Sequence, residues 1–177
     1  MIPTRDECLR LMAQYGMQEH IKNHCLEVAK VALFLAAELN RMGQKIDLGL
    51  VEAASLLHDL TKEESFKTKE DHARTGSRLL KELGYERVGE VVAEHVHLSE
   101  GKHSVLVSEE EVVNYADKRV MHDRIVTLEE RLDDLKERYG RNQEAMEYLE
   151  RMGKTTYEME HKIISILRID PDELCHL

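Results

Sequence analysis

Tryptophan is absent from the 177 residues, phenylalanine occurs twice, and aromatic side chains make up 5% of the chain. A stacking platform for single-stranded nucleic acid needs a row of π-faces, so this composition disfavours that class of function. Positive charge is also scarce: 25 Lys and Arg stand against 35 Asp and Glu, a formal charge of -10, whereas binding to a phosphate backbone needs a basic surface. No general nucleic-acid binding is expected. A small phosphorylated molecule is still admissible, because a metal with a few local cations reverses the field inside a cleft. The three cysteines, Cys8, Cys25 and Cys175, are odd in number and far apart, which fits neither a disulfide framework nor a CxxC metal knuckle. They read as free thiols. No run approaches the roughly 20 apolar residues of a membrane-spanning helix. The first residues offer a Thr4–Glu7 capping box where a signal peptide has basic and then apolar residues. The expectation is a cytoplasmic protein that does not engage membranes.

Only two prolines and nine glycines interrupt a chain that is 42% hydrophobic and 34% charged, which points to an all-α protein folded as a single domain over 1–177. Helices are expected over 4–15, from there through 40, over 48–60, over 72–83 before Gly84, and over 86–98, with a loop across 99–107. From Ser108, a cap followed by acids, one helix is expected to run to 139 before Gly140. Two shorter helices over 142–151 and 155–167 and a last turn from 170 complete the plan. Ile125, Leu128, Leu132, Leu135 and Tyr139 recur at heptad-like spacing. Two heptads are too few for a coiled coil, so packing onto the C-terminal helices is preferred and a homodimer is left open.

The run Ala53-Ala54-Ser55-Leu56-Leu57-His58-Asp59 ends an apolar helix on two polar side chains. Burying them without partners is costly, and imidazole and carboxylate are ordinary ligands of divalent metals. Other helices carry similar residues on their apolar faces. His24 shares a stripe with Ile21, Val28, Val31 and Leu35, and His72 heads one with Gly76, Leu79 and Leu83, where Gly76 would admit a close neighbour. His95 follows Val88, Val91 and Val92, while Asp117 lies among Val113, Val120 and Met121. One inward histidine is ordinarily a hydrogen-bonded core residue, and one inward aspartate a cap or ion-pair partner. For five helices that each bring one, a single metal centre is a simpler compensation than several independent polar networks. Periodicity alone does not make the five faces converge.

In chain order, His24, His58-Asp59 and Asp117 form an H...HD...D pattern, and here the chain resembles the HD-domain metal-dependent phosphohydrolases. His72 and His95 are similar to the two intervening histidines of the HDIG-type branch. The likeness covers about 21–119 and leaves 120–177 as a C-terminal helical extension. It implies an all-α HD domain in which His24, His58, Asp59 and Asp117 hold a first divalent metal. In dinuclear members the positions of His72 and His95 serve a second, with Asp59 as the bridge, and in mononuclear members similar positions face the substrate. The resemblance does not distinguish Fe, Mn, Mg, Ni and Zn, or one ion from two. Lys62 stands where HDxxK sequences place a lysine, which implies a phosphate contact and, with Asp59, a role in catalysis. His58-Asp59-Leu60-Thr61 replaces the HDIG string and no GYP motif follows, which speaks against a cyclic-dinucleotide phosphodiesterase.

Among the other groups near these positions, Lys118 and His97 are taken as further substrate contacts, whereas Arg74 and Arg119 read as surface charges. His103 and His122 read as surface histidines near a cleft mouth, and His20, His161 and His176 have no companion pattern. The implied activity is hydrolysis of a phosphate ester or anhydride of a small molecule, a nucleotide, with diadenosine tetraphosphate as the first substrate to consider. Two alternatives stand beside it. One is a di-iron oxygenase of the same superfamily, and the other a noncatalytic module that binds a signalling nucleotide.

Overall fold

A computed structural model describes residues 1–99 and 104–177. Helix α1 (Arg5–Gln14) starts on the expected Thr4–Glu7 capping box. Helix α2 (Glu19–Arg41) is the long central element, and its stripe of His24, Val28, Val31, Leu35 and Leu39 is buried against α3 (Leu48–Leu57) and α7 (Glu109–Lys118). Helix α3 is capped by the Asp47 side chain, which accepts from the Leu50 N–H, and is buried along nearly its whole length after Gly49. Its helical hydrogen bonding ends at Leu57, so His58 and Asp59 sit just past its last turn, both buried.

A short helix absent from the sequence expectation, α4 (Lys62–Thr68), follows and is ended by Lys69 in the left-handed conformation at φ 61°. Asp71 then caps α5 (His72–Glu82) by accepting from the Ala73 and Arg74 N–H groups. Helices α5 and α6 (Glu86–Ala93) pack side by side. The close approach falls at Gly89 rather than Gly76: a Cβ on Gly89 would lie 2.8 Å from the Ser77 carbonyl oxygen, whereas one on Gly76 would make ordinary contacts at 3.4 Å. Helix α6 stops earlier than expected, because the Glu94 and His95 N–H groups turn back to Val91 and Val92.

The helix expected over 108–139 is broken. After α7 the chain reverses in a two-strand antiparallel hairpin, β1 (Val120–Met121) with β2 (Arg124–Ile125), turning at His122 with φ 58°. The break is enforced by Arg119, which follows the last residue of α7: its backbone oxygen accepts from the Val126 N–H and its Nε donates to the Val126 oxygen. Helix α8 (Leu128–Tyr139) then pairs with α9 (Gln143–Leu167), one helix of 25 residues where two were expected. Gly153 does not interrupt α9 because it is a packing contact: a Cβ there would lie 3.3 Å from Leu132 Cδ1. Leu128, Leu132 and Leu135 pack with Leu149, Tyr148 and Met152 in a small cluster, so most of the heptad-spaced residues are covered within the chain. A 3₁₀ turn (Pro171–His176) closes the fold. Among the described residues, no helix is long and apolar enough to cross a membrane.

Candidate metal centre

Five helices deliver side chains to one place. His24 comes from the buried stripe of α2, His58 and Asp59 from the end of α3, His72 from the first residue of α5, His95 from the turn after α6, and Asp117 from the last turn of α7. His24 Nε2 lies 3.0 Å from Asp117 Oδ1, and His58 Nε2 lies 3.6 Å from the same oxygen and 3.4 Å from Asp59 Oδ2. On the other side of Asp59, Oδ1 is 3.4 Å from His72 Nε2 and 3.8 Å from His95 Nε2, while the two Nε2 atoms are 3.1 Å apart. Two groups of metal-capable atoms result: His24, His58 and Asp59, and then Asp59, His72 and His95. Asp59 belongs to both.

Hydrogen bonds behind the ligands fix which nitrogen faces inward. Nδ1 of His24 meets the His122 carbonyl at 2.9 Å, Nδ1 of His58 the Ser55 carbonyl at 2.7 Å, and Nδ1 of His95 the Val92 carbonyl at 2.7 Å. A carbonyl only accepts, so each Nδ1 donates and, in a neutral ring, each Nε2 turns a lone pair toward the cluster. The His72 carbonyl takes the Thr61 hydroxyl at 3.1 Å and the Thr75 hydroxyl at 3.2 Å, pinning the start of α5. Asn114 Nδ2 holds the Glu94 and His95 carbonyls.

Buried His58 Nε2 and Asp59 Oδ1 have no hydrogen-bond partner. Buried polar atoms are ordinarily satisfied, and two orphans facing the same cluster are what a bound cation would satisfy. The spacing agrees. With metal–ligand bonds of about 2.0–2.2 Å, neighbouring ligand atoms on a tetrahedron or octahedron lie roughly 2.8–3.6 Å apart; five of the six separations above, 3.0–3.6 Å, fall in that range, and His95 to Asp59 at 3.8 Å lies just beyond it. The residues present fit a divalent metal.

The electrostatics of the cluster without metal follow from burial and charge. Burial opposes the charge on Asp59, but His58 and Lys62 outweigh it and hold the carboxyl well below its usual range. Asp117 is likewise lowered despite burial, by Lys118 first and then by His24 and His58. Burial resists the imidazolium at His58, yet Asp59 raises its pKa well above the ordinary value. His95 is pushed down to about 3 by burial and by His58, and His72 is lowered chiefly by burial.

The six residues expected as ligands are thus brought together, and the other expected site residues take varied places. Lys62 Nζ lies 2.6 Å from Asp59 Oδ2 with 30% of its side chain exposed. Lys118 is buried behind the ligands, with Nζ 2.7 Å from Asp117 Oδ2 and 3.2 Å from the His95 carbonyl oxygen. His97 is exposed and pairs with Tyr148 instead of entering the cluster. Arg74 is at the surface. Arg119 is not: it is fully buried, and its guanidinium reaches Tyr115, Glu160 and the Val126 and Pro171 carbonyls, which replace the water an exposed arginine would keep. His122 contributes through its backbone, and His103 lies outside the described residues. The sequence reading missed Thr61, Thr75 and Asn114. Asn114 carried a signal, since it precedes Asp117 by three positions on the same face of α7.

A family model described as the HD domain matches residues 21–161. An uncharacterized protein of Methanocaldococcus jannaschii is 25% identical over 138 residues, which cover 70% of this chain and 80% of that one. A tRNA (cytidine(56)-2'-O)-methyltransferase of Thermoplasma volcanium is 31% identical over 97 residues, covering 54% of this chain and 27% of the methyltransferase. Ribonuclease Y 1 of Pediococcus pentosaceus is 31% identical over 132 residues, covering 73% of this chain and 24% of the ribonuclease. The chain therefore spans only about a quarter of those two longer relatives, whose names describe different chemistries. No solved structure matches. The family match takes in all six clustered ligands together with α8 and most of α9, and the chain belongs to the HD-domain family, a superfamily of metal-dependent hydrolases.

Proposed function

We propose that this protein is a metal-dependent phosphohydrolase that cleaves a phosphate ester or anhydride of a small molecule, with a nucleotide as substrate and diadenosine tetraphosphate as the first compound to test. The observation that carries the reading is Asp59, a buried carboxylate shared by two histidine groups, with an unsatisfied oxygen between them. His24, His58, Asp59 and Asp117 would hold one divalent ion, and Asp59, His72 and His95 a second. When bound, such ions supply Lewis acidity toward phosphoryl oxygens and lower the pKa of a coordinated water toward neutrality.

The chain's own residues have distinct tasks. The Nδ1 hydrogen bonds of His24, His58 and His95 keep three Nε2 atoms aimed at the centre, so no ring must reorient on binding. Lys62 keeps an ammonium at the edge of the site, where it meets a phosphoryl oxygen carrying developing charge. Lys118 neutralises the outer oxygen of Asp117 from behind, which holds that carboxylate ionised.

A second reading, cleavage of an RNA phosphodiester, draws on the similarity to ribonuclease Y. The charge of -10 favours a small substrate over a long polyanion. The test is turnover by metal-reconstituted protein of diadenosine tetraphosphate, a panel of nucleotides and a short RNA, run in air and under argon. Release of phosphate or nucleotide in both atmospheres is expected. Turnover that requires oxygen would transfer the site to the di-iron oxygenase reading, and metal-loaded protein that cleaves none of the compounds would reject the proposal.

A further inference from the structure

One residue beyond His95 the chain enters the wall of a groove of about 1040 Å³ whose opposite wall is α9. Tyr148, Arg151, Met152, Thr155 and Met159 line it from α9 at three-and-four spacing, and His97 lines it from the other side. Tyr148 Oη and His97 Nε2 lie 2.6 Å apart, with the rings edge to face and their centroids 5.1 Å apart. Along the chain, the neighbours of this pair adjoin the second ligand group. His97 is two residues past His95, and Asp71, which adds to burial in raising the Tyr148 pKa, immediately precedes His72.

One wall of the groove is tied to a helix that contributes to the metal centre. Glu160 of α9 accepts from the Tyr115 hydroxyl at 2.7 Å and from Arg119 at 3.3 Å, and Lys162 pairs with Glu111 at 2.8 Å, so α9 is tied to α7, the helix of Asp117. Charge also selects this groove. A smaller hollow of about 450 Å³ reaches Asp59 from the α4–α5 side, but five acids line it against two bases, Lys67 and Arg78. Among the described residues the larger groove has two of each, and its Glu111 is already neutralised by Lys162. An anion is repelled less there. Its volume suits a nucleotide-sized ligand, since pockets for small molecules run to roughly 300–1,000 Å³.

We propose that this groove binds the nucleoside part of a nucleotide substrate, its base stacked on the Tyr148–His97 rings and a phosphate oxygen paired with Arg151, while the scissile phosphate reaches the His72–His95 half of the centre. The proposal rests on the phosphohydrolase reading and adds the part of the chain that selects the substrate.

Calorimetric titration of metal-loaded protein with AMP, ribose 5-phosphate and inorganic phosphate tests it. The ratio of AMP affinity to ribose 5-phosphate affinity isolates the base. That ratio should be roughly tenfold or more in the wild type, within the range of one base–aromatic stack. Tyr148→Ala should bring it below about threefold, and Tyr148→Phe, which keeps the ring, should retain it. Arg78→Ala, in the smaller hollow, should leave it unchanged. A wild-type ratio near one, a ratio that survives Tyr148→Ala, or one that collapses in Arg78→Ala overturns the proposal. Helical content and metal content are measured alongside, and if Tyr148→Ala fails to fold, His97→Ala carries the same test. Preserved AMP preference in protein that hydrolyses nothing would reject the catalytic reading while leaving the groove standing.

Discussion

Replacing Asp59 by asparagine keeps the shape of the side chain and removes the charge that both ligand groups share. In metal-depleted protein the cost is moderate. Lys62 is 30% exposed and can turn to water, and His58 can give up its proton, so neither is stranded as a buried charge. The loss is then about 1–2 kcal/mol, as for a broken buried hydrogen bond, not the about 3–5 kcal/mol of a stranded ion. The effect on metal is larger. Changes behind a ligand already cost 10–100-fold in affinity, so loss of the shared ligand itself should cost about 100-fold or more. At a metal concentration one hundred times the wild-type Kd, each bound ion stabilises the wild type by about 2.7 kcal/mol, and at that same concentration each gives the variant only about 0.4 kcal/mol. With about 2–4 °C per kcal/mol for a chain of this size, the metal-dependent rise in Tm shrinks from about 5–11 °C to about 1–2 °C per ion. Circular dichroism melts with and without metal measure it, since the chain has no tryptophan to report by fluorescence. A variant that kept the full metal-dependent rise would refute the role given to Asp59.

Three further outcomes follow from the same geometry. Arg119→Met should destabilise the protein by about 3–5 kcal/mol in denaturant titrations, because it removes the cation paired with Glu160 and the donors to the Val126 and Pro171 carbonyls; a loss under about 1 kcal/mol would contradict its role as the tie between α7, α9 and the C-terminal turn. In metal-depleted protein, burial and His58 keep His95 unprotonated down to about pH 3, whereas an unfolded histidine binds its proton below about 6.5. Over that window the unfolded chain holds the extra proton, so stability should fall as pH drops, by about 1.4 kcal/mol per unit for this proton, with His72 acting in the same direction. His58, raised by Asp59 against burial, acts oppositely, and its contribution is lost as pH rises through its folded value. Melts across pH should therefore show a maximum at or above about 6.5, and a metal-depleted protein that gains stability on acidification would contradict this. Finally, burial followed by Glu52 and Glu7 pushes the Cys8 thiol up to about 12, so native protein should react with a thiol reagent at the half-exposed Cys175 first, and rapid labelling of Cys8 would contradict its burial.

The six clustered residues were legible because helical spacing put metal-capable groups on apolar faces, and because His58 and Asp59 are adjacent at the end of an almost wholly apolar helix. Their convergence was not legible from spacing, since it depends on how α2, α3, α5, α6 and α7 pack. Arg119 was misread for a physical reason. A lone arginine belongs at the surface unless several acceptors surround it, and its acceptors on Val126, Glu160 and Pro171 are supplied by later parts of the chain. The same side chain explains the broken helix after Lys118, where local propensity favoured continuation. The break expected between 151 and 155 was the opposite error: the helix runs through, and the Cβ that Gly153 lacks is space used by Leu132 of α8. His97 was placed by its nearness to His95 in sequence, and the early end of α6 turns it toward Tyr148 and the groove.

The central claim is a centre of two ions sharing Asp59, and metal stoichiometry measures it most directly. Elemental analysis of protein purified without chelator and reconstituted with a single divalent metal should give two ions per wild-type chain. Asp117→Asn should lose the ion of the His24–His58 side and retain the other, while a His72→Ala, His95→Ala double variant should do the reverse. One ion or none in correctly folded wild-type protein, or two ions retained in Asp59→Asn, would contradict the account.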